Sequence, residues 1–148
     1  MGGIKMNNIL WFKGKDGIKD AFQIRNQVFV KEQNVPEEME LDDIDNYADH
    51  IIIYNEDKPI ATGRMFESDG QVFFGRIAVL KEYRSKHFGQ VVVKKLIDKA
   101  FSEGHEKIYI HAQSRVQKFY ERLGFKAFGD KYFEAGIEHV SMVITRDK

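Results

Sequence analysis

Ile9 to Phe12 is a short apolar, aromatic run ahead of Gly14 and Gly17, and it predicts an opening strand closed by a turn. From Asp16 the period changes: Ile18, Ala21, Phe22, Val28 and Phe29 fall on one helical face, with Asp16 in the N-cap position. Arg25 lies on that stripe, either snorkelling at its rim or aimed into a polar pocket, and the rim is the simpler reading. The stretch that follows has no clear period, and its acid-rich part, Glu37 to Asp45, reads as a solvated loop. His50 to Tyr54, Ile60 to Phe66 and Val72 to Leu80 are β-branched or aromatic runs separated by polar turns at Asn55 to Lys58 and Ser68-Asp69-Gly70, which predicts a three-stranded antiparallel meander.

The clearest amphipathic helix comes next. Gly89, Val92, Val93, Leu96, Ile97 and Ala100 share one face, and Lys94, Lys95, Asp98 and Lys99 take the other. Gly104 ends it, and Lys107 to Ala112 reads as a short strand. Ser114 and Gln117 have the spacing of a capping box, Val116, Phe119, Tyr120 and Leu123 form an apolar stripe, and Gly124 supplies a stop. Lys126 to Ile144, with turns at Gly129 and Gly136, reads as two strands. The expected order is β-α-βββ-α-β-α-ββ, an α/β (α+β) class. No Pro-rich or Gly/Ser-rich linker divides the chain, so residues 1–148 are expected to form one domain.

Composition narrows the chemistry. Lys plus Arg and Asp plus Glu each total 23, so the formal net charge is zero. A dedicated nucleic-acid binder normally carries a basic excess, so no nucleic-acid partner is expected. Cysteine is absent, which excludes disulfides, thiolate metal sites and a cysteine nucleophile. No metal is expected. An EF-hand reading of the acidic run fails for want of the loop glycine and the closing glutamate. Apolar runs fall far short of the roughly 20 residues of a membrane helix, and the start MGGIKMNN lacks an apolar signal core. A cytoplasmic protein with no membrane partner is the expectation.

Within that neutral total the charges are segregated. Six acids lie between Glu37 and Asp45, while Lys81, Arg84, Lys86, Lys94, Lys95 and Lys99 gather around the long helix. A helix N-terminus presents unsatisfied N–H groups and about half a positive charge. Cations at that end oppose the helix dipole, so Arg84, Lys86 and His87 at the start of this helix make sense if an anion such as phosphate binds there, although a solvated charged turn is the plainer alternative. The acidic run would in turn attract a cationic amine.

The segment Arg84-Ser85-Lys86-His87-Phe88-Gly89 resembles the pyrophosphate loop Gln/Arg-x-x-Gly-x-Gly/Ala of the GNAT N-acetyltransferases. Arg25 with Val28 to Gln33, Ala112-Gln113, Phe119-Tyr120-Glu121, Gly124-Phe125, and Gly136-Ile137 with His139 and Met142 extend the likeness to the ElaA/YjcF-like subgroup, over nearly the whole chain. The resemblance implies a mostly antiparallel central sheet flanked by helices and acetyl-CoA as cosubstrate. It implies that Ile77, Ala78 and Val79 form a splayed strand against pantetheine. Arg84, Ser85, Lys86, His87, Phe88, Gly89 and Gln90 would hold the pyrophosphate. Tyr120 would be the general acid for the departing thiolate, although by its stripe alone it reads as a core tyrosine. Arg25, Glu32, Gln33, Gln113 and His139 would line an acceptor pocket. The acceptor is expected to be a small-molecule or peptide amine that attacks the thioester directly, and a homodimer is compatible with the chain. Glu32, His50, His111 and His139 are the candidate bases, none ranked securely, with Glu32 and His139 raised somewhat because they sit inside the subgroup motifs.

His87 departs from the motif, because it stands where the family has the first glycine. If the position needs positive φ, a side chain there costs about 1 kcal/mol, and coenzyme binding would be weaker than with glycine. That departure keeps open a non-catalytic acyl-CoA-binding or sensing module, and a Phe-rich interaction domain without cofactor is the third reading.

Overall fold

The computed structural model describes residues 8–40 and 42–146, so the first seven residues of the MGGIKMNN start lie outside the described residues. Seven strands form one sheet: β1 (Asn8–Lys13), β2 (Asp49–Asn55), β3 (Lys58–Ser68), β4 (Gln71–Val79), β5 (Lys107–Gln113), β6 (Lys126–Glu134) and β7 (Ile137–Thr145). Their spatial order is β1-β2-β3-β4-β5-β7-β6. Every neighbouring pair is antiparallel except β4 with β5. The four helices are α1 (Ile18–Arg25), α2 (Glu37–Glu40), α3 (Phe88–Ser102) and α4 (Gln117–Arg122). The order expected from the hydrophobic pattern is present, with α2 and several short turns of helix added.

The apolar stripes do what their periods dictate. Val92, Val93, Leu96 and Ala100 of α3 are buried, in one core cluster with strand residues that include Ile60, Ala61, Ile108 and Met142. Gly63 marks how close that packing is. A Cβ there would lie 2.8 Å from Val92 Cγ1 and 2.9 Å from Ile77 Cδ1, so only glycine lets α3 and β4 close over β3. Along β5 the burial alternates, with Ile108, Ile110 and Ala112 buried and His111 exposed. Arg64 of β3 meets Asp45, one of Arg25's acidic partners, from α1's side of the sheet, so α1 and α3 cover opposite faces.

Three local details differ from the pattern. Helix α1 begins after Gly17 rather than at Asp16, because Gly17 takes the left-handed conformation (φ 77°) that starts the turn. The helix then continues as a π-helical stretch over Asn26–Glu32, whose wider turn carries Val28 and Phe29 onward to Gln33. Ser114 does not cap: it opens a short 3-10 turn, Val116 is the N-cap of α4, and the Ser114 hydroxyl is buried without a partner, while Gln117 binds Glu121 one turn on.

Arg25 and the acidic run are the largest surprise. Arg25 is 1% exposed and neither snorkels nor reaches a ligand pocket. Its Nε donates to both Glu40 carboxylate oxygens at 3.0 and 3.1 Å, and its two terminal nitrogens donate to Asp45 at 2.9 and 3.0 Å. Arg64 donates to Asp42 at 2.7 Å and Asp45 at 2.8 Å, and Arg76 lies 3.0 Å from Glu40. Three guanidiniums thus meet three carboxylates, and half of the expected solvated loop is tied down. Burial alone would raise Asp45, but hydrogen bonds and charge from Arg25, with the charge of Arg64, outweigh it and hold the carboxyl at about 2. Glu40 moves the other way, since burial outweighs the arginines beside it.

Candidate active site

The site begins where two parallel strands part. Strand β4 pairs with β5 only from Val72↔Ile108 to Phe74↔Ile110, after which Gly75 to Val79 have no strand partner on that side. The cause is a β-bulge: Thr62 faces Ala78 and Arg64 faces Gly75, so Arg76 and Ile77 together oppose Gly63, with Arg76 at φ 52°. A bulge bends and over-twists its strand. The bend swings β4 away from β5 and opens a cavity of about 940 Å³ between them.

At one end of this cavity is the start of α3. Its N-cap, His87, sits at φ 67° in the left-handed region, as expected for a position that favours glycine, and no side chain caps the helix. The first N–H groups of α3 are therefore left for a ligand, in the arrangement that suits an anion. Arg84, Ser85, His87, Phe88, Gly89 and Gln90 line this end; Lys86 does not. Arg84 is fixed by donating to the Val79 carbonyl at 2.9 Å and to Glu32 at 2.8 Å. Glu32 is thus a buttress of the loop and not part of the cavity wall. Ile77, Ala78 and Val79 line the flank.

Deeper on the α3 side lies Tyr120. Its ring packs edge-on against Phe119 and Phe125, with centroids 5.0 and 5.8 Å away, and only 8% of it is exposed. Burial pushes its phenol above the ordinary tyrosine value, so it keeps its proton throughout the neutral range. Its hydroxyl has no protein hydrogen-bond partner among the described residues, although the residue lines the cavity.

The other side of the sheet gives a polar wall. Gln113 donates to Gln33 at 2.7 Å and accepts from Arg115 at 2.9 Å. His139 stands directly across the β5–β7 pair from Gln113. His111 follows the last β4–β5 pair and hydrogen bonds to Tyr132 at 2.7 Å. Gln33, His111, Gln113 and His139 all line the cavity, whereas Arg25 and His50 do not. His50 is buried beside Asp45 and stacked on Phe12, and burial lowers its basicity.

A split parallel pair that opens onto the bare N-terminus of a helix matches the acetyltransferase (GNAT) domain, whose sequence profile fits residues 14–146. The chain belongs to the GNAT acetyltransferase family. It is 39% identical over 132 residues to the uncharacterised N-acetyltransferase YjcF of Bacillus subtilis, covering 88% of this chain and 94% of that one. Protein ElaA of Escherichia coli is 33% identical over 125 residues, 81% of this chain and 82% of that one. The crystal structure of Escherichia coli ElaA superposes with a TM-score of 0.85 over 93% of this chain and 99% of that one, at 26% identity. An acyl-CoA N-acyltransferase from Pseudomonas aeruginosa gives 0.86 at 25% identity, over 95% of this chain and all of that one.

As a GNAT protein the chain is an acyltransferase, and acetyl-CoA is the family's acyl donor. The residues present fit that molecule: uncapped N–H groups and Arg84 suit its phosphates, and the unpaired edge of β4 suits an amide-bearing arm. No group of three His, Asp or Glu residues able to hold a metal ion occurs among the described residues. None of their helices is long and apolar enough to cross a bilayer. Sequence reasoning passed over Arg64 and Arg76 and read the two buried carboxylates, Glu40 and Asp45, as part of a solvated run. The available signal was Arg64 itself, a charge inside the otherwise apolar strand pattern Pro59 to Phe66.

Proposed function

We propose that this protein transfers the acetyl group of acetyl-CoA to a primary amine by direct attack of the amine on the thioester. The observation that carries the reading is the meeting, in one cavity, of the α3 N-terminus, the unpaired edge of β4 and the buried residue Tyr120. Phosphate oxygens of the donor would accept from the first N–H groups of α3 and from Arg84. The β4 edge from Ile77 to Val79 would bind the pantetheine amides and orient the thioester carbonyl. Tyr120, protonated, would donate to the sulfur as the C–S bond breaks. Gln33, Gln113 and His139 would line the acceptor side. Direct attack needs no enzyme nucleophile, in keeping with a chain that lacks cysteine.

The test is to incubate the protein with acetyl-CoA and a panel of alkylamines, polyamines, amino sugars and peptides, and to follow free thiol. Amine-dependent release is expected. Binding of acetyl-CoA without release for any amine would replace this reading with that of a sensing module.

The left-handed His87 also has a measurable consequence. Its strain is present in the free protein, so the cost falls on folding rather than on coenzyme binding. His87→Gly is therefore expected to raise the unfolding free energy by about 1 kcal/mol in a urea melt, with acetyl-CoA affinity unchanged by calorimetry. Loss of affinity would show instead that the imidazole itself contacts the donor.

A further inference from the structure

We infer that His139 is the general base of the reaction, taking a proton from the attacking amine at Nε2. This rests on the amine-acetylation reading above and supplies the group that reading leaves open. An alkylamine is an ammonium at neutral pH and has no lone pair until a proton leaves it.

Several other candidates are committed elsewhere. Glu32 is held by Arg84 off the cavity wall. Asp42 faces Arg64, and although burial would raise its carboxyl, the hydrogen bond and charge of Arg64 pull it below its ordinary value, which makes it a poorer base. Glu40 is enclosed by Arg25 and Arg76. His50 is outside the cavity. His111 faces the hydroxyls of Tyr132 at 2.7 Å and Ser141 at 3.5 Å through Nδ1, and a hydroxyl can either donate or accept, so these contacts fix neither tautomer.

His139 is different because its partner is a carbonyl. Nδ1 lies 2.7 Å from the Ile137 carbonyl oxygen, which only accepts, so Nδ1 must carry hydrogen. The neutral ring therefore keeps its lone pair on Nε2. That nitrogen has no protein hydrogen-bond partner among the described residues, and the ring lines the cavity. Position is fixed as well: the residue sits within strand β7, and its ring stacks on Tyr132 at 5.8 Å and 21°. The titratable and charged groups around it include Tyr132 and Glu134 on β6, Glu138 beside it on β7 with its ion-pair partner Lys131, His111 on β5 and Arg115 after β5.

The proton count closes. The ammonium gives one proton to His139 Nε2, which passes it to solvent. The N–C bond forms, the C–S bond breaks, and the nitrogen loses a second proton to solvent. Tyr120 protonates the sulfur and is reprotonated from solvent, so one proton is released net.

Two nucleophiles test this. Methylamine is an ammonium at neutral pH, and hydroxylamine is largely free base. The wild-type protein should acetylate both, and His139→Gln should lose about a hundredfold or more with methylamine and far less with hydroxylamine, with its acetyl-CoA affinity kept. An equal loss with both nucleophiles, or no loss with either, overturns the assignment. Wild-type turnover of hydroxylamine but not methylamine also overturns it, and leaves the acetyl-transfer reading standing. Wild-type inactivity with both, and with the amine panel, removes both. Nitrogen-15 NMR of the unsubstituted protein gives a check that needs no variant: His139 should be the Nδ1–H tautomer, and an Nε2–H signal in the neutral ring would refute the proposal.

Discussion

Tyr120→Phe will lower kcat by about a hundredfold or more, the usual scale for a positioned proton donor, and leave acetyl-CoA affinity nearly intact. The substitution is unusually clean. The tyrosine ring is packed by Phe119 and Phe125, both of which phenylalanine would still meet. The lost hydroxyl has no protein partner to strand, so folding stability should hold or rise slightly. Thiol release measured at saturating amine, alongside a melting curve, separates the two effects. Full turnover in the variant would remove Tyr120 from the chemistry. Because burial raises the phenol, activity should show no decline from tyrosine ionisation as pH is raised to about 10, the value for a free tyrosine.

Asp45→Asn will be strongly destabilising on the α1 side of the sheet. It removes the carboxylate shared by Arg25 and Arg64, both almost fully buried, and a broken buried pair costs about 3–5 kcal/mol. That is a large part of a typical domain's stability of about 5–15 kcal/mol. Chemical denaturation followed through Trp11, the single tryptophan, reads the change. A loss below about 1 kcal/mol, the scale of an exposed pair, would mean that the network relaxes around the asparagine. The pH dependence has a definite sign. The folded Asp45 value of about 2 lies below its ordinary 3.8, so its stabilisation is complete above pH 3.8 and disappears as pH falls through 2. The gap between wild type and variant should close over that window. Asp42 is lowered too and acts in the same sense. Glu40 is raised, so its shift favours the fold below its ordinary 4.5 and the benefit is lost as pH rises above it.

Local period made most of the fold legible. The stripe from Gly89 to Ala100 and the alternation along Lys107 to Ala112 each have a partner a few residues away that confirms them, and both became the elements they predict. Arg25 and Asp45 are joined across 20 residues, and Arg64 and Asp45 across 19. Nothing local distinguishes such carboxylates from solvated ones, because what pays for their burial is a guanidinium on another element. The Ser114 and Gln117 spacing failed for a related reason: tertiary packing of the turn after β5 buried the serine hydroxyl before it could cap. At the site, the loop at the start of α3 was readable from its charges and motif, and His87 from its place in that motif. His139 was readable only as one of four candidate bases, since its tautomer depends on a hydrogen bond to the Ile137 carbonyl that the sequence does not reveal.

With the donor lying as proposed, the split between β4 and β5 would make it a clasp. Only three residue pairs join the two halves of the sheet, β1 to β4 and β5 to β7, along that seam. The cavity takes Ile77 to Val79 and the α3 loop from the first half, and Gln113, Tyr120 and His139 from the second. A molecule lying in it touches both halves and binds only when they are together. By linkage it then holds the whole sheet closed, by about 2.7 kcal/mol at a hundred times its Kd. Thermal stability in the presence of acetyl-CoA is therefore a direct gauge of how firmly the two halves are held.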